Sequence, residues 1–444
     1  MKKFIALLLA VLMVLGLVAC GSSETTTETK TETKTETKTE VKEEAVEEAA
    51  DGEISISFVC AQYSDLTGPY LEKVIEAFEA ENPGINVNLE IIGWSDITTR
   101  INTMCAAKQA PDIYAGGSAS AYLEDELVYL ADEVVSDELK ADFYETFWNN
   151  NINPDDGNVW QIPFVASVRS LYCNKKIFDE VGLEVPTTWK EVEEACAKID
   201  EFYNGEVYAW GVDSSSAEGQ TLVAYYGWNN GGGYVDADGK YIVNCEGNVE
   251  GIEWVKSLYD NGWTNVAPAT DTRDDMQKLV AGDKMAMLVT ANFFPALYPD
   301  CELYMGTVPY NDEKQDTPVS MAVQDALIFF NGNAKASEDS PEKLAAITAF
   351  VDFMYSAEWY LPMCEQEGLL PATASGIEML VANDPAQEAY ISILENAQFY
   401  ARSKATWADC SSGIAEAGAK IFSGQMGVQE ALDEVQTMLE EEEG

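Results

Sequence analysis

Two charged residues interrupt apolar runs. Arg169 stands in Val168-Arg169-Ser170-Leu171, and Asp325 in Gln324-Asp325-Ala326-Leu327-Ile328. A charge in such surroundings needs a partner, because an unpaired ion in a core is costly. That partner is a ligand or a structural counter-ion, and a pairing of Arg169 with Asp325 is one reading of both. Carboxylate pairs could also hydrolyse a glycosidic bond. With 77 Asp and Glu in the chain such a pair can always be found, so it carries no weight alone. There is no histidine. That excludes Ser-His-Asp and Cys-His catalysis, zinc sites of the Cys-His type, and the usual proton shuttle. Asp236-Ala237-Asp238-Gly239 lacks the ligand spacing of a calcium loop and reads as a hairpin turn. No P-loop and no GxGxxG occurs. No metal and no cofactor is expected, and Asp112 is expected to brace a strand turn.

The bulk numbers narrow the partners. A formal charge of −51 over 444 residues disfavours nucleic acid, which selects Lys and Arg. It also disfavours docking of the folded part on anionic lipid. An acidic surface that keeps an exported monomer soluble accounts for it, with a polycation partner as the alternative. After Cys20 come eight cysteines, Cys60, Cys105, Cys173, Cys196, Cys245, Cys301, Cys364 and Cys410, with no CxxC among them. An even number in an exported chain invites disulfides. The wide spacings and the place of Cys196 on an apolar helix stripe point instead to buried free thiols.

The N-terminus supplies an address. Lys2 and Lys3 precede the apolar run Phe4 to Leu17, which is too short for a comfortable membrane span and fits a signal peptide. Leu17-Val18-Ala19-Cys20-Gly21 resembles a bacterial lipobox, which implies cleavage before Cys20 and a diacylglycerol on its sulfur. Residues 21–52, with Thr-Glu-Thr-Lys repeated, carry almost no apolar side chains and read as a disordered tether.

The folded part starts near residue 53. Ile54, Ile56 and Phe58 alternate as a strand; Leu71, Val74, Ile75 and Phe78 have helical spacing up to Asn82-Pro83-Gly84; Ile85, Val87, Leu89 and Ile91 alternate again. This is the strand–helix–strand unit of an α/β sheet. Thr188 with Glu191 predicts a capped helix start over Trp189, Val192, Cys196 and Ile199. Residues 342–354, and those from 411 onward, read as helices.

The ordered set of motifs carries a resemblance. Tyr172-Cys173-Asn174-Lys175-Lys176-Ile177-Phe178, Val181-Gly182-Leu183 and Pro186-Thr187-Thr188-Trp189-Lys190-Glu191 resemble the signature of family 1 extracellular solute-binding proteins, of the maltose- and oligosaccharide-binding kind. Met276 to Met287, Glu395-Asn396-Ala397-Gln398 and Ile421-Phe422-Ser423-Gly424-Gln425 follow in that family's order, so the resemblance spans roughly residues 53–440. Cys173 replaces a usual Tyr, and Phe293 falls where the family has an aromatic platform of Trp.

The resemblance implies a type II periplasmic-binding-protein fold: two α/β lobes, a ligand cleft and hinge crossovers. Lobe 1 is expected over 53–158 and 321–362, lobe 2 over 159–320 and 363–444. It implies ligand contacts from Tyr63, Asp65, Ser118, Glu218, Gln220, Trp228, Phe293, Arg402 and Trp407, to which their charge adds Arg169 and Asp325. The expected function is capture of a sugar, an oligosaccharide foremost, and delivery to the permease of an ABC importer from the outer face of the cell membrane. Alternatives are a polyamine or other small polar cargo in the same role, a secreted carboxylate glycosidase, and a stalked adhesin.

Overall fold

The computed structural model describes residues 53–443 apart from 95, 154, 155, 403 and 405. Cys20 and the tether lie outside the described residues. Ten strands form a mixed sheet system: β1 (Ile54–Ala61), β2 (Ile85–Ile92), β3 (Ile113–Ala115), β4 (Ile162–Asn174), β5 (Tyr208–Trp210), β6 (Met285–Ala291), β7 (Leu303–Gly306), β8 (Ser320–Phe329), β9 (Leu370–Pro371) and β10 (Ala397–Phe399). Their main order is β2-β1-β3-β8-β4-β6-β5.

The first lobe grows from the expected unit. β1 pairs parallel with β2 and β3, so all three end on the same side. The helix Thr67–Glu81 buries Leu71, Val74, Ile75 and Phe78 against them, as its spacing predicts, and Gly84 turns out of it at a φ of 95°. Asp112 braces this lobe as expected. Its carboxylate accepts from the Ser57 amide and hydroxyl and lies 2.6 Å from Lys335 and 2.9 Å from Lys343. The second lobe packs β5, β6 and β7 under the helices Trp189–Tyr203, Glu246–Asp260, Trp407–Phe422 and Val428–Glu443. Thr188 and Glu191 form the capping box, and Gly182 closes the preceding helix in the left-handed region.

β4 joins the two. Its first half, from Ile162 to Val168, pairs antiparallel with β8; its second half, from Arg169 to Asn174, pairs with β6 and β7. All thirteen residues are buried. The hand-over falls between Val168 and Arg169, so Arg169 stands at the seam of the lobes. The helix Tyr360–Glu367 runs straight through the expected junction at 362/363. Its Tyr360, Met363 and Cys364 pack with the first lobe's core. The eight described cysteines are free thiols, as expected; six are buried, and Cys245 and Cys301 are half-buried.

Candidate functional site

In parallel sheets, ligands sit beyond the carboxyl ends of the strands. Here those ends in both lobes converge on the seam. From the first lobe come Tyr63 after β1, Trp94 after β2 and the loop Gly116-Gly117-Ser118 after β3. Gly117 is required because an added Cβ would come within 2.6 Å of the Tyr114 hydroxyl. From the second lobe come Asp213 and Glu218 after β5, and Asn292 and Phe293 after β6. The strands β4 and β8 contribute Arg169 and the pair Gln324–Asp325.

The Arg169–Asp325 pairing, one of the readings of these two charges, is not formed. Asp325 accepts from the Tyr63 hydroxyl at 3.2 Å, and its nearest cation is Arg402 at 3.7 Å. Burial pushes the Asp325 carboxyl up to about 6, although Arg402 and Tyr63 pull it down. Arg169 donates through Nη1 to Ser167 Oγ at 2.9 Å and meets the Tyr225 hydroxyl. The physical reason is register. Asp325 lies opposite Val165 and Arg169 opposite Ala291, so the two belong to different strand pairs.

Three residues that the sequence did not single out complete the site. Arg273 forms a 2.7 Å ion pair with Glu218, and its guanidinium lies 5.3 Å from the Phe293 ring centre. The carboxyl of Asp213, with its Oδ2 buried and unpartnered among the described residues, is pushed up to about 6 by burial, with Glu218 adding to the push. Trp94 is 46% exposed and meets Tyr63 edge-on at 5.6 Å. An open tryptophan presents a flat apolar face of the kind that aromatic plates offer. Its signal was available: Gly93-Trp94 follows β2 as Tyr63 follows β1.

The remaining expected residues divide. Ser118 caps the short helix after β3 and donates to the Arg402 carbonyl at 3.2 Å, while Arg402 Nη1 donates to the Gln324 carbonyl at 3.1 Å. The Arg402 segment therefore touches the loops beside Asp325. Asp65 is exposed and accepts only a long bond from Gln62. Trp228 is turned into the second lobe's core, edge-on to Tyr234 at 5.3 Å. Gln220 is buried beside it and donates to the Tyr400 hydroxyl at 3.3 Å. Trp407 stacks on Tyr400 at 5.1 Å and meets Tyr234 edge-on. Tyr400 itself faces a pocket shared with Trp160, Gln161, Gln324 and Arg402. Trp407 thus backs the residue that reaches the pocket. A π-helical turn, Val223–Gly227, carries Tyr225 and Tyr226 into a second hollow with Asp213, Glu218 and Arg273.

Aromatic faces, guanidinia and carboxyls line the seam. Residues 63–360 match the bacterial extracellular solute-binding protein family. The chain belongs to that family. This solute-binding protein is 28% identical over 356 residues to a binding protein of Brucella abortus, a match that covers 78% of this chain and 83% of that one. Its fold is that of a sugar transporter protein from Arthrobacter chlorophenolicus with bound laminaribiose, at a TM-score of 0.75, 19% identity and coverage of 87% and 99% of the two chains. It is equally that of a substrate-binding protein from Listeria monocytogenes in complex with cycloalternan, at a TM-score of 0.73, 20% identity and coverage of 88% and 99%. The two-lobed α/β architecture expected from the sequence is the one these solved structures share with the solute-binding protein.

Proposed function

We propose that this solute-binding protein captures a saccharide at the seam between its lobes and delivers it to the membrane subunits of an ABC importer. The observation that carries this reading is the pairing of an open aromatic plate with under-satisfied buried polar groups. Trp94 offers an open face to the apolar side of a sugar ring, with Phe293 under Arg273 as a second ring, while Gln324 and Asp213, each with an unpartnered buried atom among the described residues, and Asp325, bonded to Tyr63, offer fixed hydrogen-bonding partners to its hydroxyls. Gln324 is 5% exposed, and neither amide atom has a partner among the described residues. A buried unmade hydrogen bond costs about 1–3 kcal/mol, which a ligand hydroxyl recovers. The saccharides named for the two structural relatives support the same reading.

In this reading the lobes comprise 53–158 with 321–369, and 159–320 with the return after 369. They move about β4 and β8, as in hinge closure around a ligand. Cys20 carries the lipid that holds the protein at the outer face of the membrane, and residues 21–52 space it from the bilayer. Arg169, Arg273 and Arg402 at the seam disfavour a polyamine cargo, since a cation would meet guanidinia there.

Isothermal titration and thermal shift of the purified protein against mono- and oligosaccharides, polyamines and amino acids test the proposal. A rise in melting temperature with one saccharide series, abolished by Trp94→Ala or Phe293→Ala, is the expected result. A response to polyamines alone overturns it, and turnover of chromogenic glycosides would move the protein to the glycosidase class.

A further inference from the structure

The chain has only four arginines among its 26 basic residues: Arg100, Arg169, Arg273 and Arg402. Three of the four stand at the seam. Two of these have a carboxylate, Arg273 with Glu218 at 2.7 Å and Arg402 with Asp325 at 3.7 Å. Arg169 has none within 4.0 Å among the described residues. It is 3% exposed, and its Nε has no hydrogen-bond partner there. Its contacts are the hydroxyls of Ser167 and Tyr225. Burial favours loss of its proton, but Tyr225, Glu218 and Tyr400 outweigh it, so the guanidinium stays charged. Arg169 lies beneath these neighbours and lines neither hollow: Tyr225 and Glu218 line one, Tyr400 the other. In the second of these, the Gln324 amide is free to donate beside it.

We infer that the saccharide bound at the seam is acidic, a sugar bearing a carboxylate, and that Arg169 is the residue that receives the carboxylate. This rests on the saccharide reading above. A buried guanidinium without a counter-ion is expensive, and a planar carboxylate matches its fork of donors in two parallel bonds. Arginine at all three seam positions, in a chain whose other basic residues apart from Arg100 are lysines, fits planar recognition better than a diffuse positive field. Arg169 lacks a carboxylate of its own within ion-pair distance, and a monoanionic sugar gives it that counter-ion. A dianionic phosphate would leave its second charge facing Glu218, Asp213 and Asp325.

Titration calorimetry with matched saccharides tests this: galacturonate and glucuronate mono- and oligomers, the neutral galactose and glucose counterparts, and the corresponding sugar 6-phosphates. The acidic sugar is expected to bind at least tenfold more tightly than its neutral counterpart. Arg169→Gln is expected to erase that preference, lowering acidic-sugar affinity at least tenfold more than neutral-sugar affinity, and Arg169→Lys to retain part of it. Melting curves of both variants report folding; where Arg169→Gln does not fold, the Arg169→Lys variant alone must narrow the preference. Equal or tighter binding of neutral sugars overturns the acidic class and leaves the saccharide reading standing. Tighter binding of phosphates overturns the carboxylate assignment. No binding of any saccharide, acidic or neutral, overturns the saccharide reading and this inference with it.

Discussion

The molecule holds two buried ionic clusters of opposite character. Behind the first lobe, Asp112 and Asp339 share Lys335 at 2.6 Å each, and Lys343 adds a further bond to Asp112. Burial pushes the Asp112 carboxyl up, but the two lysines and the Ser57 amide more than offset this and hold it below its ordinary value. At the seam, the carboxyls of Asp325 and Asp213 are instead pushed up to about 6 by burial, and Arg169 has no carboxylate beside it. Charged groups are satisfied in one place and partly unsatisfied in the other. The first cluster stabilises the lobe; the second leaves hydrogen bonds unmade among the described residues and a charge without a carboxylate beside it, which the proposed ligand would meet. Sites of this kind are maintained at a cost in stability.

The largest expected effect breaks the satisfied cluster. Asp112→Ala leaves Lys335 and Lys343 with Asp339 as their one shared carboxylate and strips the Ser57 amide of its acceptor, and should destabilise the protein by ~3–5 kcal/mol in urea unfolding, as loss of one partner of a buried pair does. Ligand affinity of whatever remains folded should be unchanged.

Asp325→Asn should do the reverse. The folded-state pKa of Asp325 is about 6 against an ordinary 3.8, so the folded protein binds more protons than the unfolded chain between those values. Stability attributable to this group therefore falls as pH rises from about 4 to 6 and stays low above that. The variant should be more stable than the parent at pH 7, by up to ~3 kcal/mol, with the difference gone near pH 4. Melting temperatures of the two proteins across that range measure it, and an Asn variant less stable than the parent at pH 7 would refute the contrast. Trp94→Ala is next: about tenfold weaker saccharide binding, ~1.4 kcal/mol, with a melting curve that hardly moves because the ring is half exposed. Smallest is Arg100→Gln, which removes an arginine far from the seam. Its 3.1 Å pair with Glu90 is exposed on both sides, so unfolding should change by ~0.5 kcal/mol or less and binding not at all.

The sequence made the scaffold legible where local pattern decides structure. The alternating Ile and Phe of β1, the helical stripe from Leu71 to Phe78, and the Thr188–Glu191 capping box all form as their spacing predicts. Asp112 and the free thiols were legible for the same reason, since an acid at a strand turn and a Cys on an apolar stripe have few other uses. The site was only partly legible, because its members are brought together by pairing between distant strands. Arg273 sits in Asp271-Thr272-Arg273-Asp274-Asp275, which reads as the charged start of a surface helix; only the fold lays it over Phe293. Trp228 and Trp94 look alike in sequence as aromatic residues beside glycine. One is enclosed by Tyr234 and the other left open, a difference set by packing partners far along the chain. The charges of Arg169 and Asp325 flagged both residues, but register across β4 and β8 decided that they do not meet.

The continuous β4 has a consequence for how such a protein can be divided. Half of the strand completes one sheet and half completes the other, without a break in burial. Neither lobe is a portable module: cutting the chain at the seam would strip each sheet of a central member and expose a bare apolar edge, a template for aggregation. Exchange of whole lobes between relatives, by recombination or by design, would have to carry the entire strand with one half and rebuild its partner in the other. A loop such as Gly93-Trp94 can be traded at no such cost, so a change of cargo is far easier to reach through the loops than through the halves.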